Sequence, residues 1–273
     1  MRLICLLFAI AISYAANPQR IISTAPGFTE TLFAIGAGDR VIAVSTYCHF
    51  PIVVEKLPRI GSYLQPNIEA IAKLKPDLVL VHAEQKQALA QLNGLGIRTV
   101  ALRNTSLEDT LKTVREIGVA VGLSSAGIAL EGSIRGELAA IEKRLEGQPR
   151  KTLLFVVGRT PGRLDGMIAV GKGSFLNELI RIAGGRNVLN DSPVTYPKIS
   201  MEGLMRLNPD VIVDMGDMAV TTGVTESHKK SVLKLWEVHP GVTAKVYAVA
   251  ADIFVVPGPR VAEAAEEFAR MLH

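Results

Sequence analysis

Ile68-Glu69-Ala70-Ile71-Ala72-Lys73-Leu74-Lys75-Pro76-Asp77-Leu78-Val79-Leu80-Val81 returns later in the chain as Met201-Glu202-Gly203-Leu204-Met205-Arg206-Leu207-Asn208-Pro209-Asp210-Val211-Ile212-Val213-Asp214. Each stretch reads as a helix, a Pro-Asp turn and an apolar run of strand length. A second pair precedes them. Ile35-Gly36-Ala37-Gly38-Asp39-Arg40-Val41-Ile42 matches Ile182-Ala183-Gly184-Gly185-Arg186-Asn187-Val188-Leu189. Each of these leads on to an aromatic-proline step, Phe50-Pro51 and Tyr196-Pro197. The two features keep the same order in both halves, which predicts two similar lobes. A cleft between two lobes is a common place for a ligand.

Outside the repeats, short apolar runs alternate with helical periodicity. Candidate strands are Arg20–Ser23, Val41–Ser45, Leu78–His82, Thr99–Leu102, Thr152–Val157, Val211–Asp214 and Lys245–Val249. Helical stretches include Thr29–Ile35, Ile68–Leu74 and Leu107–Val121. The alternation predicts an α/β fold with mostly parallel sheets. Ser106, with Asp109 three residues on, opens the Leu107 helix as a capping box. A further helix runs from about Ser124 to Leu145, with Ile134, Leu138, Ile141 and Leu145 on one face. At 1.5 Å per residue it is about 30 Å long, and it reads as a strut between the halves. The expected division is a lobe over residues 16–122, a linking helix over 123–147 and a second lobe over 148–273.

Residues 1–15 read as a targeting segment. Arg2 is the positive end, Leu3 to Ile12 the apolar stretch, and Ser13-Tyr14-Ala15 the small-residue step before a cut. The stretch is too short to span a bilayer, and Cys5 lies inside it rather than after it, which argues against a lipid anchor. The cut leaves Cys48 as the only cysteine, expected to be buried. An exported protein with no membrane span is the expectation. Net charge is +4 over 273 residues, with no basic run, which argues against nucleic acid as a partner. Two cysteines exclude a disulfide scaffold and a Cys-built zinc module.

The chain carries no G-x-x-x-x-G-K-[ST], H-E-x-x-H or G-x-S-x-G motif. Gly36-x-Gly38 follows a helix rather than a strand and reads as a helix end. The glycine-rich stretch from Gly158 to Gly173 reads as a flexible loop at the cleft mouth. No two of His49, His82, His228, His239 and His273 have metal-ligand spacing, so no metal site is expected.

Binding candidates follow from position. Tyr47, Phe50, Tyr63 and Tyr196 fall in loops beside strands, where aromatic faces suit a large flat ligand at low entropy cost. Thr24, in the loop after the first strand, lies where ligand crevices form in open α/β sheets, and Thr29 is the alternative there as a helix cap. Arg159, Arg163 and Lys172 flank the glycine-rich stretch, and Arg260 precedes the last helix; each is a partner for a carboxylate or phosphate. Glu69 and Glu202 sit at matching places in the repeat, second in their helices after Asn67 and Ser200. First-turn carboxylates also favour the helix dipole.

Several segments resemble the periplasmic substrate-binding proteins of ABC importers for cobalamin, haem and ferric siderophores. They are Ser45-Thr46-Tyr47-Cys48-His49-Phe50-Pro51, Gly61-Ser62-Tyr63 with Asn67-Ile68-Glu69, Leu74-Lys75-Pro76-Asp77-Leu78-Val79, Gly184-Gly185 with Asn187-Val188, and Val194 and Tyr196-Pro197 with Ser200 and Glu202. The resemblance covers nearly the whole chain after the targeting segment. It implies two α/β lobes bridged by a single long helix, no catalysis and no cofactor. It implies a periplasmic location and a corrinoid ligand, cobalamin or a relative, with haem or a ferric siderophore as the alternative. It places Phe50, Tyr63, His82 and Tyr196 at or near the corrinoid-facing positions. Cobalamin binders of the family have tryptophan where this chain has Tyr63, His82 and Tyr196. The haem alternative has Tyr47, His49 and His82 available as axial ligands. The resemblance also gives Glu69 and Glu202 a role, one docking carboxylate per lobe for a membrane permease. A monomer suits that role. An exported α/β enzyme using the cleft is the reading from another class.

Overall fold

The structure is a computed structural model, and it describes residues 17–216, 226–239, 241–249 and 252–273. The targeting segment lies outside the described residues. The N-terminal lobe holds β1 (Ile21–Ser23), α1 (Pro26–Ala34), β2 (Val41–Val44), α2 (Ile68–Lys73), β3 (Leu78–His82), α3 (Lys86–Gly94) and β4 (Thr99–Leu102). Helices α4 (Leu107–Ala120) and α5 (Ser124–Arg144) follow. The C-terminal lobe holds β5 (Thr152–Gly158), β6 (Met167–Ala169), α6 (Phe175–Ile182), β7 (Arg186–Asn187), β8 (Lys198–Ile199), α7 (Met201–Leu207), β9 (Val211–Asp214), α8 (Glu226–Glu237), β10 (Lys245–Ala248) and α9 (Val261–Leu272).

The first sheet is parallel in the order β2-β1-β3-β4. In the second, β7, β5, β9 and β10 pair in parallel in the corresponding order, and β6 and β8 extend it antiparallel from β5. The repeat seen in the sequence is therefore a repeat of topology. The central strands are apolar throughout because both faces are covered. Leu78 and Leu80 pack toward α1 and α4, while Val79 and Val81 pack toward α2 and α3. Leu153, Phe155 and Val157 face α5 and α9, and Leu154 and Val156 face Trp236.

The Pro-Asp turns have a specific task. Asp77 accepts from the backbone N–H groups of Gln19 (2.7 Å) and Arg20 (2.9 Å), just before β1. Asp210 accepts from the N–H of Thr152 (2.7 Å) and from its hydroxyl (2.7 Å), where β5 begins. Each aspartate thus ties the start of its lobe's first strand to the strand beside it. Proline disfavours the helical region in the residue before it, and in both turns that residue is left-handed, Lys75 at φ 46° and Asn208 at φ 41°. The glycine pairs also match. Gly36 and Gly184, at φ 83° and 75°, end α1 and α6 with the same two bonds, Gly36 N–H to Phe33 and Ala37 N–H to Leu32, Gly184 N–H to Arg181 and Gly185 N–H to Ile180.

The capping box of α4 is present, with Ser106 accepting from Asp109 N–H and Asp109 accepting from Ser106 N–H. Helix α5 spans 21 residues and runs from one lobe to the other. Ala126 and Leu130 pack on the N-terminal core, and Ile134, Leu138 and Ile141 are buried in the C-terminal core. Helix α4 makes the same crossing in the opposite sense, with Leu107, Leu111 and Val114 in the C-terminal core and Ile117 in the N-terminal core. The strut is a helical hairpin, pinned by Arg135, which donates to Glu131 (2.9 Å) and Glu108 (2.7 Å). The stretch from Gly158 to Gly173 is corrected from a flexible loop. It contains β6, paired antiparallel with β5 and β8, and its turn is closed by Thr160 N–H to Asp165 C=O at 3.0 Å.

Two stability tests follow. Lysine is strained in the left-handed region, whereas asparagine tolerates it. Lys75→Asn copies the second lobe and raises unfolding free energy by about 1 kcal/mol in urea denaturation. The bonds from Thr152 hold the Asp210 carboxyl below the usual carboxylate range. Its stabilising contribution is therefore present above the unfolded-state value and is lost as pH falls through the folded-state value. Asp210→Asn lowers Tm at pH 7, and the difference from the wild type shrinks below about pH 4. A difference that grows on acidification would rule this account out.

Candidate functional site

The carboxyl ends of the parallel strands in both lobes converge on the junction between them, where open α/β sheets bind ligands. On the N-terminal side, Tyr63 sits in the loop before α2 with its ring edge against His82, centroids 5.4 Å apart. His82 ends β3 and is 3% exposed. It stacks on Phe28 of α1 (6.4 Å), its Nε2 lies 2.9 Å from Asn104 Oδ1, and its Nδ1 accepts from Glu84 N–H at 3.4 Å. With both ring nitrogens used by the protein, His82 underlies Tyr63 rather than forming the ligand surface. Tyr47 (51% exposed) and Phe50 (46%) lie in the loop after β2 of the same lobe.

On the C-terminal side, Tyr196 is 43% exposed, and its hydroxyl is 3.2 Å from Oγ of Ser174, the N-cap of α6. Burial pushes the Tyr63 phenol up, and Glu84 and the Tyr196 phenol add to the rise. Tyr63 thus belongs to the N-terminal lobe and Tyr196 to the C-terminal lobe, while Phe50 meets Arg260 across the lobe junction.

Other candidates stand elsewhere. Thr24 is buried and its N–H donates to Leu80 C=O at 3.2 Å, so it lies beneath the crevice. Thr29 is not a cap: α1 begins at Pro26, and the Thr29 hydroxyl turns back to Ser23 Oγ (2.8 Å) in a buried cluster with Cys48. Cys48 is free and buried, which pushes its thiol up. Arg159 is corrected from a ligand partner to a structural one. Its Nε donates to Asp214 Oδ2 at 2.9 Å, with both side chains buried, and Trp236 Nε1 donates to the same oxygen at 2.7 Å. A buried carboxylate needs a compensating charge, which Arg159 supplies through Nε, while its Nη1 donates to the carbonyls of Thr160 and Arg163.

Arg260 is likewise held by protein carboxylates. It donates to Glu30 in α1 (2.9 and 2.5 Å) and to Asp252 (3.1 and 2.9 Å), a contact that joins the lobes. Burial works against the arginine charge, but the two acids more than offset it. Burial pushes the Glu30 carboxyl up, and Arg260 pulls it back. Glu30 was legible only as the one acid in an otherwise uncharged helix; Asp252, Asn104 and Ser174 carried no signal. Asn104 Nδ2 also crosses the junction, to Pro257 C=O at 3.4 Å.

Glu69 and Glu202 are exposed and second in α2 and α7. Asn67 and Ser200 cap these helices by accepting from Ala70 and Gly203 N–H. Glu69 pairs with Lys73 at 2.7 Å, an exposed contact of small energy. Among the described residues, no cluster of three or more His, Cys, Asp or Glu assembles as a metal site, and no helix is long and apolar enough to cross a membrane.

Two α/β lobes joined by helices, with their strand ends at the junction, are the architecture of a solute-binding protein. The sequence profile of the periplasmic binding protein family matches residues 21–236, and the chain belongs to that family. It is a family of binding proteins, so the enzyme reading falls. The chain is 28% identical to an uncharacterized ABC transporter substrate-binding lipoprotein of Bacillus subtilis (strain 168), over 97% of this chain and 86% of that one. It is 28% identical to a vitamin B12-binding protein of Pectobacterium carotovorum subsp. carotovorum (strain PC1), over 100% of this chain and 95% of the relative. A periplasmic haem-binding protein from Pseudomonas aeruginosa shares the fold, with TM-score 0.78 and 22% identity, covering 93% of this chain and 92% of the other.

Arg159→Met leaves Asp214 buried and unpaired, at an expected cost of about 3–5 kcal/mol. Urea unfolding followed by Trp236, the chain's single tryptophan, measures it directly. A loss below about 1 kcal/mol would return Arg159 to the list of ligand partners.

Proposed function

We propose that this protein captures cobalamin or a related corrinoid between its lobes and delivers it to an ABC transporter permease. The supporting observation is the pair of tyrosines, Tyr63 and Tyr196, that approach the cleft from opposite lobes. Each has a fixed support, His82 behind Tyr63 and Ser174 beside Tyr196. A rigid ring on either side suits a broad, flat ligand, because little side-chain freedom is lost on binding. Tyrosine adds a hydroxyl, which suits a macrocycle fringed with amide groups. Relatives named vitamin B12-binding protein point the same way. The chain would be exported, with the segment up to Ala15 removed, and would act as a monomer.

Glu69 and Glu202 are the proposed contacts to the permease. They are exposed, one per lobe, and start equivalent helices. Two carboxylates at a fixed spacing suit a two-fold partner with basic residues, setting register more than affinity.

A haem ligand is the second reading, favoured by Tyr47, which exposes half its surface beside His49. His82 is a poor axial ligand in that reading, since its nitrogens are already bonded.

Calorimetric titration of the protein lacking residues 1–15 with cyanocobalamin, cobinamide and haemin tests this directly. One-to-one submicromolar binding of a corrinoid, weakened at least tenfold by Tyr63→Ala and by Tyr196→Ala, is the expected result. Binding of haemin alone would move the ligand to the second reading. For docking, Glu69→Lys with Glu202→Lys abolishes ligand uptake by cells while affinity in solution stays within about twofold. Lost affinity would remove the docking role.

A further inference from the structure

Arg260 stands at the end of the Pro257–Arg260 turn and reaches out of the C-terminal lobe. Its edge is taken by two carboxylates, Glu30 of α1 and Asp252, through four hydrogen bonds of 2.5–3.1 Å. Its face is not used by either acid. That face lies over the ring of Phe50, with the guanidinium carbon 4.2 Å from the ring centroid. Phe50 belongs to the other lobe, in the loop after β2, and remains 46% exposed. One face of the ring is covered by a cation, and the rest is open. The backbones of the two lobes also touch beside this contact: a Cβ on Gly258 would stand 3.0 Å from Gly27 Cα. Side chains have no room between α1 and this turn.

We propose that Arg260 is a positioning residue for the ligand wall, fixing the ring of Phe50 across the lobe junction by a cation–π contact. This rests on the cleft being the ligand site. A free arginine swings on several rotors and would hold an aromatic ring loosely. Here two acids fix the plane of the guanidinium, and the plane fixes the ring. Phe50 is therefore in place only when the C-terminal lobe is. A ligand that stacks on Phe50 senses the relative placement of the lobes without touching Arg260.

The test replaces Phe50 by 4-fluorophenylalanine in the otherwise intact protein and records its fluorine resonance without ligand. Arg260→Met is expected to shift and broaden that resonance, and Arg260→Lys to restore part of the shift. Glu30→Gln with Arg260→Met removes both charges together and leaves no buried carboxylate unpaired. It is expected to move the resonance as Arg260→Met does, in a protein that still melts cooperatively. An unchanged resonance in this double variant overturns the proposal. Cyanocobalamin, cobinamide and haemin are then titrated. Whichever binds the wild type is expected to bind about tenfold more weakly to Arg260→Met. Phe50→Leu with Arg260→Met is expected to lose little more than Phe50→Leu alone, and fully additive losses overturn the proposal. If none of the three binds the wild type, the cleft reading fails, and the fluorine resonance still decides whether Arg260 holds Phe50.

Discussion

Asp77 and Asp210 each bind the backbone N–H groups that begin their lobe's first strand. Much of the architecture depends on that bond. The first strand sits inside its sheet with parallel neighbours at its start, so its entry point sets their register. A parallel strand has no hairpin to fix its start, and the aspartate takes that part. The proline before it stops the helix and turns the chain so that the carboxylate arrives at the strand's end. Register in turn decides which loops reach the carboxyl edge, and hence where Tyr63, Phe50 and Tyr196 stand.

The lobes are then held to each other by more than one helix. Helices α4 and α5 cross the boundary in opposite directions, each burying one end in either core. The ion cluster of Arg260 adds a contact at the far side, near the cleft. Two helices resist bending at the boundary far better than extended strands would. A binding protein built this way changes its aperture little, and much of its selectivity must be present before the ligand arrives. The support given to each aromatic fits that need: Tyr63 rests on His82, His82 on Phe28 and Asn104, and Tyr196 touches the cap of α6.

The repeat made the fold legible. Two copies of a helix, a Pro-Asp turn and an apolar strand specify a pair of related sheets, and the strands found match the apolar runs. The short strands β6, β7 and β8 were not legible, because two or three residues leave no periodicity to read. The candidate residues differ in how plainly the sequence marks them. Aromatics in loops at strand ends stand out by position, although Tyr63 also packs against the N-terminal core. Basic residues do not. Arg159 and Arg260 occupy the right loops, yet sequence carries no trace of the acids that take them, 55 and 230 residues away in Asp214 and Glu30.

That failure has a physical cause. Carboxylates at the ends of buried strands and helices, such as Asp214 and Glu30, must be matched by a cation or neutralised. The arginines nearest the cleft satisfy them from within and are no longer free to meet a ligand's charge. Among the described residues, Tyr63, Tyr196 and Phe50 present aromatic surface, the tyrosines with phenol groups, while Arg159 and Arg260 are taken by the protein's own carboxylates. The internal pairing of Arg159 and Arg260 thus assigns both residues to holding the protein together.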